Sequence, residues 1–185
     1  MSSAIRFQKN PCSSRSRALG LAAGLGAALW LCASPVAALA QTAVVDEDAA
    51  AVKAGTEAYL RAWTFTEEEG IDWDAFRPIF MPGPDGMSVV DTFGGGVTVL
   101  DSVDEYVRTW SPVVAESFVS LDTVAEDGIE VVADDEVAVS MFILRAEGVR
   151  PSGGDGLLRQ HATVVWQPDS RGDWRIVREH LTTLP

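Results

Sequence analysis

Basic residues, cysteine and histidine are all scarce in this 185-residue chain, and each shortage closes off a kind of chemistry. Lys and Arg number 14 against 27 Asp and Glu, for a net charge of −13. Such a surface repels the phosphates of nucleic acid and of anionic lipid, so neither is an expected partner. The two cysteines, Cys12 and Cys32, both lie within the first 40 residues. The rest of the chain therefore has no disulfide, no thiol nucleophile and no thiolate metal site. His161 and His180 are the only histidines. A catalytic zinc typically takes about three protein ligands, so this pair falls short unless Asp91 or Glu179 joins it, and no metal is expected. No phosphate loop is legible either, since Gly94-Gly95-Gly96 is followed by no Lys. A Gly-x-Ser-x-Gly elbow and a dinucleotide fingerprint are likewise missing, and no cofactor is implied.

What is present begins with a leader. Arg6, Lys9, Arg15 and Arg17 form a positive segment, Ala18 to Ala33 an apolar one, and Ala38-Leu39-Ala40 a small-x-small cleavage site. The pattern predicts a secretory signal over residues 1–40, a single domain over 41–185 and a periplasmic or secreted product with no stable membrane anchor after cleavage. Trp30-Leu31 is too bulky before Cys32 for a lipoprotein signal. The leader takes four of the 14 basic residues and none of the 27 acidic ones, leaving a net charge of −17.

Periodicity then predicts a helix from about Glu47 to Phe65, a short helix from an Asp72 cap to Phe80, and a third helix from an Asp101 cap, ending before Pro112. Short strands are expected at Met87–Asp91 and Val97–Leu100, and longer ones at 117–132, 136–146 and 157–183. The last of these is a hairpin closed by Pro168-Asp169-Ser170-Arg171-Gly172. Centring its turn between Ser170 and Arg171 sets His161 opposite His180, Thr163 opposite Arg178 and Val165 opposite Ile176. One face then carries Arg159, His161, Thr163, Arg178 and His180. The other carries Ala162, Val164, Trp166, Val177 and Leu181, an apolar surface suited to a homodimer. A one-residue slip would exchange these faces. Helices first and strands afterwards form an α+β pattern.

The ending Trp174-Arg-Ile-Val-Arg-Glu-His180-Leu-Thr182, preceded by Arg159-x-His161-x-Thr163, resembles the SnoaL-like branch of the nuclear-transport-factor-2-like superfamily, whose members commonly end in Trp-x-Ile-x-x-x-His-x-Ser/Thr. Arg178 stands where many of them carry another His. The resemblance implies a cystatin-like cone: three N-terminal helices on the concave face of a curved, mostly antiparallel sheet, with a pocket between. It also resembles the related ketosteroid isomerases at two places. Tyr59 stands where their first-helix Tyr donates to an oxyanion, and Asp91 where their strand-end Asp moves the proton. Their third member, a late-strand Asp, has no counterpart in Gln160-His161-Ala162-Thr163, where His161 is the available donor. Each residue also has a plain structural role open to it: Tyr59 as a bonded core tyrosine, Asp91 as an Asx turn before the glycines.

The expected function is an exported, dimeric domain that binds a small apolar or aromatic ligand. Trp63, Phe80 and Trp110 would wall the pocket, with Thr163 and His180 as polar contacts. Arg159 and Arg178 would meet either an internal carboxylate or a carboxylate on the ligand. The alternative is a cofactor-independent isomerase, cyclase or dehydratase with Asp91 as base and Tyr59 or His161 as donor.

Overall fold

The computed structural model describes residues 35–83 and 86–185, with side chains from residue 47 onward. Of the expected leader, only Pro35–Ala40 falls within the described residues, where it forms the start of a helix. Both cysteines lie outside them.

The described residues form two α-helices and a six-stranded open sheet. Helix α1 spans Pro35–Ala62. Its buried stripe is Val52, Thr56, Tyr59 and Leu60, the three-and-four spacing of a helix with one face on a core. Where a second full helix was expected after Asp72, the chain makes only a 3-10 turn, Trp73–Phe76, with the Asp72 carboxylate accepting from the Asp74 N–H at 3.0 Å. Strands β1 (Ser88–Asp91) and β2 (Thr98–Leu100) precede helix α2, Val103–Ser117.

Helix α2 starts one residue later than its sequence suggested and runs through Pro112 rather than stopping before it. Ser102 is the cap: its Oγ accepts from the Glu105 N–H, while the Glu105 carboxylate reaches back to the Asp101 N–H. Pro112 removes the donor for the Arg108 carbonyl, but both residues lie on the exposed face, where water can serve that carbonyl.

Strands β3 (Ser120–Ala133), β4 (Ala138–Val149), β5 (Asp155–Pro168) and β6 (Trp174–Thr183) complete the sheet, in the order β2-β1-β6-β5-β4-β3. All neighbours are antiparallel except β1 with β6. The register of β3 shifts between Glu126 and Glu130, where Asp127 and Gly128 take positive φ, so the strand carries a bulge there.

The hairpin register differs from the one its sequence suggested. Its loop lies one residue further along: Pro168 pairs with Trp174, and Asp169 closes it through its carboxylate to the Arg171 and Asp173 N–H groups. A second slip follows at Val177, between the pairs Trp166–Ile176 and Val165–Arg178. His161 therefore lies opposite Thr182, and Thr163 opposite His180. Because the bulge adds one residue, inward-facing positions in β6 pass from even to odd: Ile176 is buried, and so are Glu179 and Leu181.

The two faces of β5 are consequently the reverse of those expected. Ala162, Val164 and Trp166 are core residues beneath α1, not an outer contact surface. Trp166 stacks so close to Gly55 of α1 that a Cβ there would lie 3.0 Å from its ring. Its indole N–H donates to Ser140 at 3.0 Å, and Ser140 also accepts from Thr56 at 3.0 Å. The apolar set goes inward because burying a tryptophan and two aliphatic residues is favourable, while burying Arg159 and His161 without partners would be costly.

Candidate functional site

A narrow cavity of about 60 Å³ lies between the two helices and the concave face of the sheet. Helix α1 brings Tyr59 and Trp63 to it, one helical turn apart, and α2 brings Trp110 and Val114. β1 ends in it with Asp91, and the sheet floor supplies Thr123, Leu144, Gln160 and Leu181. Phe93, in the turn after β1, packs edge-on to Trp110 with ring centroids 6.1 Å apart.

Asp91 is 4 % exposed. Its Oδ1 accepts from the Phe93 N–H at 2.8 Å and from the Gln160 amide at 2.9 Å. The first bond is an Asx turn, so the plain role and the cavity position coexist in one residue. Burial raises its pKa above the ordinary carboxylate value, and those hydrogen bonds only partly offset the rise.

Tyr59 is fully buried. Its hydroxyl donates to Oε1 of Glu179 and lies 3.4 Å from the hydroxyl of Tyr106. Burial pushes the Glu179 carboxyl up to about 8, and the charge of Asp91 pushes the same way. Burial likewise raises both tyrosines well above the ordinary phenol value. On the parallel pair β1–β6, Val89 stands beside Glu179, which sets Asp91 one same-face position further along. Three buried polar atoms have no partner among the described residues: Trp63 Nε1, Thr123 Oγ1 and Glu179 Oε2.

Among the residues expected at the site, the structure brings Tyr59, Trp63, Asp91 and Trp110 to one cavity. Phe80 is buried behind Tyr59, with ring centroids 6.4 Å apart at 89°, and supports the wall without lining it. The polar set expected beside them is elsewhere. His161, Arg178 and His180 are exposed on the opposite face of the sheet, with Thr163 and Arg159 half-buried there. Arg159 pairs with Glu126 at 2.7 Å, the internal-carboxylate outcome, but outside the cavity. The Val177 bulge and the inward preference of Ala162, Val164 and Trp166 account for all five placements. His161 and His180 do not face one another, and no three His, Cys, Asp or Glu side chains among the described residues converge on a metal-sized site.

Four cavity or near-cavity residues were not legible as such: Glu179, Gln160, Tyr106 and Thr123. Tyr106 had a signal, being the one other tyrosine in the chain and on a helical apolar stripe. Glu179, flanked by Arg178 and His180, reads as a surface residue until the bulge is known.

Comparison with solved structures shows that the fold is similar to that of nuclear-transport-factor-2-like proteins. A superfamily member from Salmonella enterica serovar Typhimurium superposes with a TM-score of 0.63 at 16% identity, over 78% of this chain and 94% of its own. A Caulobacter vibrioides protein with a cystatin-like fold gives 0.57 at 21%, over 75% and 91%. A candidate dehydratase of the same family from Streptomyces avermitilis gives 0.60 at 18%, over 76% and 99%. No protein-family model matches the sequence, and a search of curated proteins finds no match. At these identities the likeness carries the fold alone.

Proposed function

We propose that the chain is an exported domain that binds a small, mostly apolar molecule in the cavity between helices and sheet, with Asp91 as its polar anchor. One observation carries this reading: a buried carboxylate stands in the wall of a cavity built mostly from aromatic and aliphatic side chains. Specific polar groups in an apolar concavity are what orient a ligand. A volume of about 60 Å³ is several times the ~10–15 Å³ that one water needs, which suits a ligand of a few non-hydrogen atoms or one end of a larger molecule. Native mass spectrometry of protein purified without denaturation is expected to reveal a retained small molecule. Leu144→Trp, which fills the cavity from its floor, is expected to expel it while circular dichroism stays unchanged. Equal retention by that variant overturns the site.

Export rests on the leader pattern in residues 1–40, and N-terminal sequencing of the protein from its host is expected to begin near Gln41. The homodimer belongs on the outer sheet face, now with Val139, Met141, Ile143 and Val165 as the contact in place of the core residues. Ile143→Glu is expected to shift sedimentation from dimer to monomer.

A second reading, a cofactor-independent isomerase, cyclase or dehydratase, is favoured by the raised pKa of Asp91, which brings a carboxylate toward the range useful to a base. Its donor would be Tyr59, since His161 lies outside the cavity. Asp91→Asn separates the two: an enzyme loses turnover by orders of magnitude, whereas a binder has only affinity to lose.

A further inference from the structure

The cavity holds charge of one sign only. None of its lining residues is Lys, Arg or His, and the arginines expected to face it point away. What it offers is the Asp91 carboxylate, five aromatic side chains (Tyr59, Trp63, Phe93, Trp110 and Phe118) and the unpartnered hydroxyl of Thr123, a residue 5 % exposed. A carboxylate buried without a cation is costly, and here only neutral donors, the Phe93 N–H and the Gln160 amide, reach it. A carboxylic ligand would add a second negative charge beside the first.

Resting on the binding reading above, we propose that the cavity selects a small organic cation, an alkylammonium group, over neutral and anionic molecules of the same shape. The ammonium supplies the counter-charge that Asp91 lacks. Aromatic rings hold its methyl or methylene groups, and their electron-rich faces attract the charge. Thr123 Oγ1, buried and unused within the protein, is available to accept an ammonium N–H. The chain's net charge of −13 draws cations toward the surface and repels carboxylates. The upward pKa shift of Asp91, caused chiefly by burial, is the shift that a bound cation would reverse.

The experiment titrates the full chain by calorimetry with three probes of one shape: tert-butylammonium, tert-butanol and pivalate. At neutral pH tert-butylammonium is expected to bind about tenfold tighter than tert-butanol, and pivalate not measurably. Asp91→Asn is expected to abolish the difference between the first two. Should that variant unfold, the same preference in the wild type is expected to fade as the pH falls through the Asp91 titration, while tert-butanol affinity stays level. The other groups around Asp91 are Glu179, which titrates higher, Tyr59 and Tyr106, higher still, and His180. His180 faces outward, but its positive charge lowers the Asp91 pKa, so the pH series is run in His180→Asn as well. Equal binding of tert-butanol and tert-butylammonium overturns the cation preference and leaves the cavity reading intact. If none of the three binds, and Leu144→Trp changes nothing in native mass spectra, the cavity reading falls and the preference with it.

Discussion

The phenol of Tyr59 on α1 donates its proton to Oε1 of Glu179 on β6, 120 residues further along the chain, with the two residues 0 % and 2 % exposed. This bond ties the first helix to the last strand within the core. It also joins two groups whose ordinary titration ranges are far apart. Burial brings the glutamate up to about 8, so near neutrality it is largely protonated. With Oε1 accepting from Tyr59, the proton sits on the unpartnered Oε2, which costs less to bury in a neutral acid than in an ion.

Stability should therefore fall with rising pH in a range where most acidic proteins are level. The unfolded chain releases the Glu179 proton near the ordinary value of 4.5, whereas the folded chain keeps it to about 8. The contribution is fully present below the lower value and is lost as pH rises through the upper one. The raised Asp91 acts in the same direction. Urea denaturation at about pH 5 and pH 8 is expected to differ by on the order of a few kcal/mol. Glu179→Gln keeps an acceptor for Tyr59 and should flatten most of that dependence.

Trp166 was expected on an exterior contact surface and is instead 1 % exposed beneath α1. Trp166→Ala should cost about 3–5 kcal/mol in chemical denaturation. A loss below 1 kcal/mol would place the ring back on the surface. Gly55→Ala tests the same contact from the helix side. The helix gains about 1 kcal/mol from alanine, but a Cβ 3.0 Å from a ring that is buried and held by its bond to Ser140 should leave the variant less stable overall.

Substitution on the outer face should leave the cavity untouched. His161→Ala, His180→Ala and Arg178→Ala are each expected within about 0.5 kcal/mol of wild type, with no change in the ligand retained. Breaking the Arg159–Glu126 pair should cost at most about 1 kcal/mol, since both side chains are about a third exposed. A large loss of binding in any of these variants would contradict the observed register.

Ser102→Ala removes the cap of α2, the helix that carries Trp110 and Tyr106. Thermal or urea denaturation should show a loss of about 1 kcal/mol, and Ser102→Asp should restore most of it.

The order of helices and strands, the presence of a closing hairpin, and the pairing of Tyr59 with Asp91 in one cavity could all be reached from the chain as written. The first two rest on local signals, a three-and-four stripe and turn residues at fixed offsets, and the third on the resemblance of Tyr59 and Asp91 to the ketosteroid-isomerase positions. Pro112 misled because it falls on the exposed face of α2, where water can serve the Arg108 carbonyl that it leaves without a donor. The face assignment of the hairpin lay beyond local signals. Alternation reports that two faces exist, and Arg159, His161, Arg178 and His180 on one of them looked like a polar pocket. Which face turned inward was decided by tertiary packing. Trp166 fits against Gly55, and the bulge at Val177 lets Ile176, Glu179 and Leu181 all point inward from one strand. Because a strand's side chains alternate with period two, that single inserted residue moved Glu179 from the surface into the core behind Tyr59 and sent His180 the other way.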